Sequence, residues 1–320
     1  MTVIIAARFD EKNAVMIADE RSSTQVRQFD IARKLHTVRT EGGVHAVFGG
    51  TGVSDRLYEC AIRFIDDIAD KDGRPDIKFG WQLASALDQQ LKLVRHEMID
   101  GELLRKYGLT RDNFLRGLFT DQRGNTGPIN ESWVVDYKRM VEGEHPIVKE
   151  LANQFLCLSY DSKGRLCIHS TDMLSGKPYL VARPFETAGS GSDLAQVVLS
   201  DFYGTASRDN NYIVDKCEGV LAAVSSANAA AKGNIGVGGT PYIQPLVDGK
   251  LEDCLSDAES RLVAEIAKGH DKKLLGTDFA KQAVNDLVYE RKTASSVEEE
   301  MWRRTTNKEG LSRLLRGYKN

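Results

Sequence analysis

Thr2-Val3-Ile4-Ile5-Ala6-Ala7, Asp10-Glu11-Lys12-Asn13 and Ala14-Val15-Met16-Ile17-Ala18 form the stretch on which the fold turns. Two short apolar, β-prone runs flank four turn formers, and this order predicts a hairpin. Further strands are predicted at residues 34–38 and 43–48, on either side of the turn sequence Thr40-Glu41-Gly42-Gly43. Gly49-Gly50 then breaks the pattern, and apolar residues recur from Val53 at Leu57, Ala61, Ile62, Phe64, Ile65 and Ile68. That spacing predicts a helix with one buried face.

A second amphipathic helix is expected over residues 81–98, with Leu87, Leu91, Val94 and Met98 three or four apart. From about residue 100 to 149 the pattern weakens into charges, a Gly-rich turn at residues 123–128 and one strand-like piece at 132–137, as in an inserted lobe or loop. Strand character returns in Phe155-Leu156-Cys157-Leu158-Ser159-Tyr160 and Arg165-Leu166-Cys167-Ile168-His169, joined by the turn sequence Asp161-Ser162-Lys163-Gly164. Residues 179–182 add an extended piece. After Gly189-Ser190-Gly191-Ser192 a helix is expected, with Ser192 as N-cap. A third strong helix spans 215–232, and 241–246 read as a strand placed at an edge by its two prolines. The remainder, 251–320, is charged and helical in pattern. Strands, two helices, strands and two helices together imply an α+β protein of two antiparallel sheets packed face to face and covered by helices.

At 320 residues the chain can bury a large core, and a net charge of −3 points to neither nucleic acid nor a strongly cationic partner. No secretory leader and no bilayer-length apolar run is evident, so a cytoplasmic protein is expected. Five scattered cysteines without a CxxC pair argue against a disulfide framework. Six histidines without HExxH spacing argue against a metal, and no cofactor is expected.

The chemistry lies at the start. Removal of Met1 frees the α-amine of Thr2, and such an amine, titrating near ~8, can take the proton of its own hydroxyl. A lysine beside the hydroxyl favours the alkoxide if a carboxylate holds that lysine charged, and Lys34 and Asp19 are the candidates.

These residues resemble a known family. Thr2, Ala18-Asp19-Glu20-Arg21, Lys34-Leu35, Phe48-Gly49-Gly50-Thr51 before a helix and Ala188-Gly189-Ser190-Gly191-Ser192 before another resemble, in order and spacing, the proteasome β-subunit and HslV family of N-terminal nucleophile (Ntn) hydrolases. The resemblance covers residues 1–69 and 153–250. It implies a four-layer αββα sandwich over 1–250, interrupted by the insertion at about 100–149 and followed by a helical extension from 251 to 320. It also implies a threonine peptidase acting through an acyl-enzyme. Thr2 is then nucleophile and base, Lys34 the activating lysine, Asp19 its orienting partner, Gly49 the oxyanion donor through its amide, and Ser190 the partner of the amine. Arg21, Ser22, Ser23, Val47 and Thr51 are expected to line the substrate groove.

One departure stands out. Where the family has an Asp and a Ser before a Gly-Gly pair, this chain has Asn234 and Val237, which carry neither charge nor, at Val237, a hydroxyl. Asn234 is kept as a supporting residue. The resemblance further implies a peptide or protein substrate, a homo-oligomeric ring or stacked assembly, and an ATP-dependent unfoldase as partner. Two other readings stay open: a structural subunit without chemistry, and an amide-transferring or small-molecule amidase relative.

Overall fold

A computed structural model describes residues 2–23, 28–30, 34–69, 76–120, 123–145, 153–173, 177–205 and 213–315. The opening hairpin is present as β1 (Ile4–Arg8) and β2 (Ala14–Ala18). β12 (Phe185–Ala188) flanks β1, while β13 (Tyr242–Val247) and the two-residue β14 (Lys250–Leu251) follow β2. The first sheet therefore has the order β12-β1-β2-β13-β14, antiparallel throughout. β13 is not an edge strand as its prolines predicted, because β14 folds back along it; Pro245 sits opposite Val15 inside the sheet.

The second sheet runs β11 (Tyr179–Leu180), β10 (Leu166–Asp172), β9 (Gln154–Tyr160), β6 (His45–Thr51) and β5 (Leu35–Arg39). Two small hairpins complete the strands, β3 (Arg21–Ser23) with β4 (Gln28–Asp30) and β7 (Leu118–Thr120) with β8 (Thr126–Pro128).

Period-two alternation builds the layers. Ile4, Ala6, Met16 and Ala18 of the first sheet meet Leu35, Val47, Leu156 and Leu158 of the second in one buried cluster between the sheets. Val3, Ile5, Val15 and Ile17 point the other way, into a cluster shared with α5 (Ser192–Gly204) and α6 (Lys216–Gly233). On the far side, Ala46, Phe48, Phe155 and Cys157 pack under α1 (Ser54–Ala69) and α2 (Gly80–Tyr107). The result is the four-layer αββα sandwich. Val3, Ile4 and Ile5 have no exposed surface, and each such side chain contributes about 1.5–3 kcal/mol.

The two segments beside the sandwich are helical. α2 continues past Met98 to Tyr107 and ends at Gly108 in the left-handed region, φ 68°. α3 (Arg111–Arg116), the β7–β8 hairpin and α4 (Glu131–Val141) follow, with Ile99, Leu103, Leu109, Phe114, Ile129 and Met140 forming a small separate core. The piece at 132–137 is thus helix, not strand. Asn130 caps it by accepting from the Ser132 amide, and Trp133, Val134 and Tyr137 fall on one packed face at helical rather than alternating spacing.

After β14 come α7 (Asp257–Asp271), α8 (Thr277–Val284), a five-residue π turn (Asn285–Tyr289), α9 (Ala294–Arg304) and α10 (Lys308–Leu315). Leu262, Ile266, Leu287 and Met301 from these elements enter the same buried cluster as α6. Among the described residues no helix is long and apolar enough to cross a membrane.

Candidate active site

Register decides which side chains meet. In the first sheet Ile4 pairs with Ala18 on one side and Ala188 on the other, so Thr2, Asp19 and Gly189-Ser190 emerge together at one end of the strands. The Asp19 amide donates to the Val3 carbonyl at 3.2 Å, and the Val3 amide donates back to the Asp19 carboxylate at 2.9 Å. Asp19 is bound to the very strand that carries Thr2.

The second sheet supplies the cation. Lys34 directly precedes β5, and its Nζ reaches across to the Asp19 carboxylate at 2.7 Å and to the Arg21 carbonyl at 2.5 Å. Both side chains are nearly buried, 10% and 5% exposed, so the pair bridges the two sheets at the open end of the sandwich. A third donor, the Gly238 amide, meets the other carboxylate oxygen at 3.3 Å. Burial pushes the Asp19 carboxyl above its ordinary range, while the Lys34 ammonium and the Val3 and Gly238 amides pull it back.

Ser190 closes the corner. β12 leads into Gly189 at φ 97°, a left-handed conformation, and a Cβ there would lie 2.2 Å from the Thr2 carbonyl oxygen. The next amide but one, Gly191, donates to that carbonyl at 3.2 Å, and the Thr2 nitrogen donates to Ser190 Oγ at 3.2 Å. The cap of α5 is Gly191 rather than Ser192, because this loop is fixed by Thr2 before the helix begins. Met1 lies outside the described residues.

Gly49 and Thr51 come from β6. Gly49 pairs with Leu35, next to Lys34, and a Cβ on it would lie 2.5 Å from the Leu35 side chain and 3.1 Å from the Lys34 carbonyl. Sheet packing alone therefore favours glycine here, whatever its amide does. Thr51 Oγ1 lies 3.1 Å from the point a Gly189 Cβ would occupy, the same point that falls 2.2 Å from the Thr2 carbonyl oxygen.

The expected groove residues divide. Val47 is a correction: it has no exposed surface and sits in the layer between the sheets, because alternation along β6 turns it inward. Arg21 donates to the Ile235 carbonyl at 3.0 Å and the Val237 carbonyl at 3.5 Å, and its guanidinium covers Gly238, where a Cβ would lie 2.7 Å from Cζ. Arg21 thus straps the 235–238 loop over Asp19. Ser22 and Ser23 pair with Phe29 and Gln28 in the β3–β4 hairpin, and their side chains lie outside the described part.

Asn234 serves the same loop. Its Nδ2 donates to the Ser190 carbonyl at 2.9 Å and its Oδ1 accepts from the Gly236 amide at 3.0 Å. A carboxylate could not make the first of these bonds. Val237 is buried, with Cγ2 3.0 Å from the point a Gly191 Cβ would occupy, so it packs the back of the corner. Sequence reading overlooked Asn153, whose Oδ1 accepts from the Val53 amide at 2.8 Å; a lone asparagine ahead of a strand gives no local signal. Among the described residues, no three His, Cys, Asp or Glu are grouped so as to hold a metal.

Two sheets face to face between helical layers, with a threonine at the head of β1, define the proteasome-like Ntn-hydrolase fold. No protein-family model and no curated protein matches the chain. Solved structures do, Anbu proteins among them. Anbu (ancestral β-subunit) from Yersinia bercovieri gives a TM-score of 0.57 at 12% identity over 85% of this chain and 94% of that one. An Anbu (Gly-1) mutant from Hyphomicrobium sp. strain MC1 gives 0.54 at 12%, over 79% and 87%. The helical assembly of the Anbu complex from Pseudomonas aeruginosa gives 0.54 at 14%, over 85% and 95%. At such identities the likeness is one of fold. The assignment to the proteasome β-subunit and HslV family is thereby corrected: the structural neighbours belong to Anbu, which is proteasome-like but distinct. The short motifs could not make that distinction, because they encode only a corner of the sandwich.

Proposed function

We propose that this chain is a threonine-type amide hydrolase whose working form begins at Thr2, the residue before it having been removed. The observation that carries the reading is the buried Lys34–Asp19 pair, which joins the two sheets beside Thr2 while Ser190 meets the Thr2 nitrogen. A charged pair this deep is costly to build, and replacing it by apolar groups is often neutral or stabilising. Its bond to the strand that carries Thr2 gives it, in this reading, a chemical use.

In this reading Thr2 Oγ attacks the carbonyl carbon of a peptide bond and its proton passes to the Thr2 amine. Lys34 stabilises the developing alkoxide and Asp19 keeps Lys34 charged and in place. The carbonyl oxygen becomes an oxyanion facing the Gly49 amide. The C–N bond then breaks, the leaving amine takes the proton from the Thr2 ammonium, and water hydrolyses the resulting ester. Ser190 orients the amine and Asn234 holds the Ser190 loop. Arg21, Ser22, Ser23 and Thr51 border the groove. The sandwich up to about residue 250 is the catalytic unit, with the lobe at 100–149 and the helices after 251 as additions to it.

The neighbour from Pseudomonas aeruginosa is described as a helical assembly, and we extend self-association to this chain. An oligomer that encloses its sites would confine an unselective cytoplasmic peptidase, and an unfoldase would then feed it substrates.

The test is intact-mass analysis after incubation with a β-lactone or epoxyketone, on protein whose N-terminus has been sequenced as Thr2. One adduct, mapped to Thr2, is expected; several such probes leaving the mass unchanged would overturn the reading. The absence of acid and hydroxyl at Asn234 and Val237 favours a second reading, a subunit without chemistry. That reading fails if Thr2→Ala abolishes amide-bond cleavage while assembly persists.

A further inference from the structure

We infer that Asn153 is a positioning residue for the proposed hydrolysis, fixing the exit from β6 at residues 51–53 and through it the end of the strand that holds Gly49 and Thr51 against Thr2. The inference rests on the reading of Thr2 as nucleophile. β6 ends in Gly49-Gly50-Thr51, and the chain then passes through Gly52 at φ 140° into α1. Val53 stands where a helix leaves its first amides unbonded, and its side chain has no polar atom with which to cap them. The tether comes from a residue 100 positions away: the Val53 amide donates to Asn153 Oδ1 at 2.8 Å.

The fit around that tether is close. A Cβ on Gly52 would lie 2.0 Å from Asn153 Oδ1 and 2.9 Å from its Cα, so the turn and the asparagine occupy adjoining space with none to spare. Asn153 has no exposed surface, and its own carbonyl accepts from the Met173 amide at 2.9 Å. Its Nδ2 is buried with no hydrogen-bond partner among the described residues. An apolar side chain would avoid that unpaired donor; what it could not do is hold the Val53 amide.

The turn so held leads directly to the catalytic corner. Thr51 pairs with Gln154, the residue after Asn153, and its Oγ1 and the Thr2 carbonyl both crowd the point a Gly189 Cβ would occupy. Gly49, two residues earlier, lies beside Lys34. Release of Val53 loosens the end of β6, most at Thr51 and Gly52, against both. Misplacement by about 1 Å costs on the order of 100-fold in rate.

The test uses the full chain and reads the rate of Thr2 acylation by a β-lactone, per folded molecule, at saturating and subsaturating probe. Asn153→Leu keeps the volume and removes the acceptor; we expect the saturated rate to fall about tenfold or more, with half-saturation changed less than about threefold and melting temperature maintained or raised. Asn153→Asp keeps an acceptor oxygen and should hold the saturated rate within about threefold of the parent although its buried charge lowers stability. Should Asn153→Leu acylate as fast as the parent, or Asn153→Asp lose as much rate as Asn153→Leu, the inference is overturned. A parent protein that begins at Thr2 and takes no label overturns the hydrolase reading itself, and this inference with it.

Discussion

Asp19 and Asp161 are buried carboxylates at opposite ends of the sandwich, 5% and 2% exposed, and they are held in opposite ways. Asp161 is satisfied locally. It accepts from the Lys163 and Arg165 amides at 2.9 and 3.2 Å and from the Arg165 guanidinium at 3.0 and 2.7 Å, all within four residues. Burial raises its carboxyl, but these donors outweigh it and bring it below the ordinary carboxylate range. Asp19 draws its donors from Val3, Lys34 and Gly238, three segments far apart in the chain, and they do not outweigh burial. A carboxylate that staples a turn is made comfortable by its neighbours. The one proposed to serve a site has its burial only partly offset, with a cation taken from the segment that leads into the opposite sheet.

The largest effect that would sharpen the contrast belongs to Thr2→Ala. If the Asp19 corner exists for chemistry, this variant should lose Thr2 acylation and amide cleavage by on the order of 10^4-fold or more while its melting temperature stays within a degree or two of the parent. Loss of stability without any activity to lose would make the corner a staple like the other.

Lys34→Met tests that offset directly. Removing the ammonium should lower the acylation rate by on the order of 100-fold or more. It should also cost about 3–5 kcal/mol near neutral pH, because Asp19 is left charged in an apolar place. The pH dependence has a definite sign. A carboxyl whose folded pKa is raised stabilises the protein below its unfolded value near ~3.9 and loses that contribution as pH rises through the folded value. Without Lys34 the folded value moves further up, so the deficit should grow with pH and shrink in acid. Urea titrations of parent and variant between mildly acid and neutral pH would show it; a deficit independent of pH would mean that Asp19 is not left charged.

Asp161→Asn should behave in the reverse sense and more weakly. It leaves the two amide bonds neutral and replaces the oxygen that accepts from the Arg165 guanidinium with a donor, a loss of about 1–3 kcal/mol. With a depressed folded pKa, the Asp161 contribution is present above about pH 3.9 and lost as pH falls through the folded value, so parent and variant should converge in acid. Acylation of Thr2 per folded molecule should not change. A changed rate would show that the two ends of the sandwich are coupled, and the contrast between them would fail.

The same pair shows what could be read before the fold was known. Asp161 was legible, since Asp161-Ser162-Lys163-Gly164 between two apolar runs is a turn in its own right, and the bonds it makes are local. The layers were legible too, because alternation in β1 and β2 and helical spacing in α1 need no distant partner. Thr2, Asp19 and Lys34 could be chosen on chemistry and Ser190 by likeness to a pattern, but their meeting depends on register: Ile4 against both Ala18 and Ala188, and Leu35 against Gly49 in the other sheet. Val47 was misplaced because, although alternation puts it on the same face of β6 as Gly49, its burial there depends on Ile4, Leu35 and Leu158 arriving from other strands. The piece at 132–137 was misread because a short run holding Trp133, Val134 and Val135 fits strand and helix alike until Asn130 is seen to cap it.

Asn234→Asp carries the smallest effect and probes the one place where the corner departs from the pattern it resembles. The carboxylate keeps an acceptor for the Gly236 amide but faces the Ser190 carbonyl, 2.9 Å away, with a second acceptor instead of a donor. The Ser190 loop should loosen and its hydroxyl should leave the Thr2 nitrogen more often. The new negative charge also favours the protonated amine, which cannot act as base. Both effects lower the rate, and a severalfold decrease in Thr2 acylation is expected, worth about 1 kcal/mol, with the pH at half-maximal rate displaced upward. Rate against pH for the two proteins separates the causes: a loosened loop scales the whole curve, whereas an altered amine slides it along the axis. A rate increase at every pH would mean that Asn234 restrains the nucleophile, and the corner would then be tuned for slow turnover.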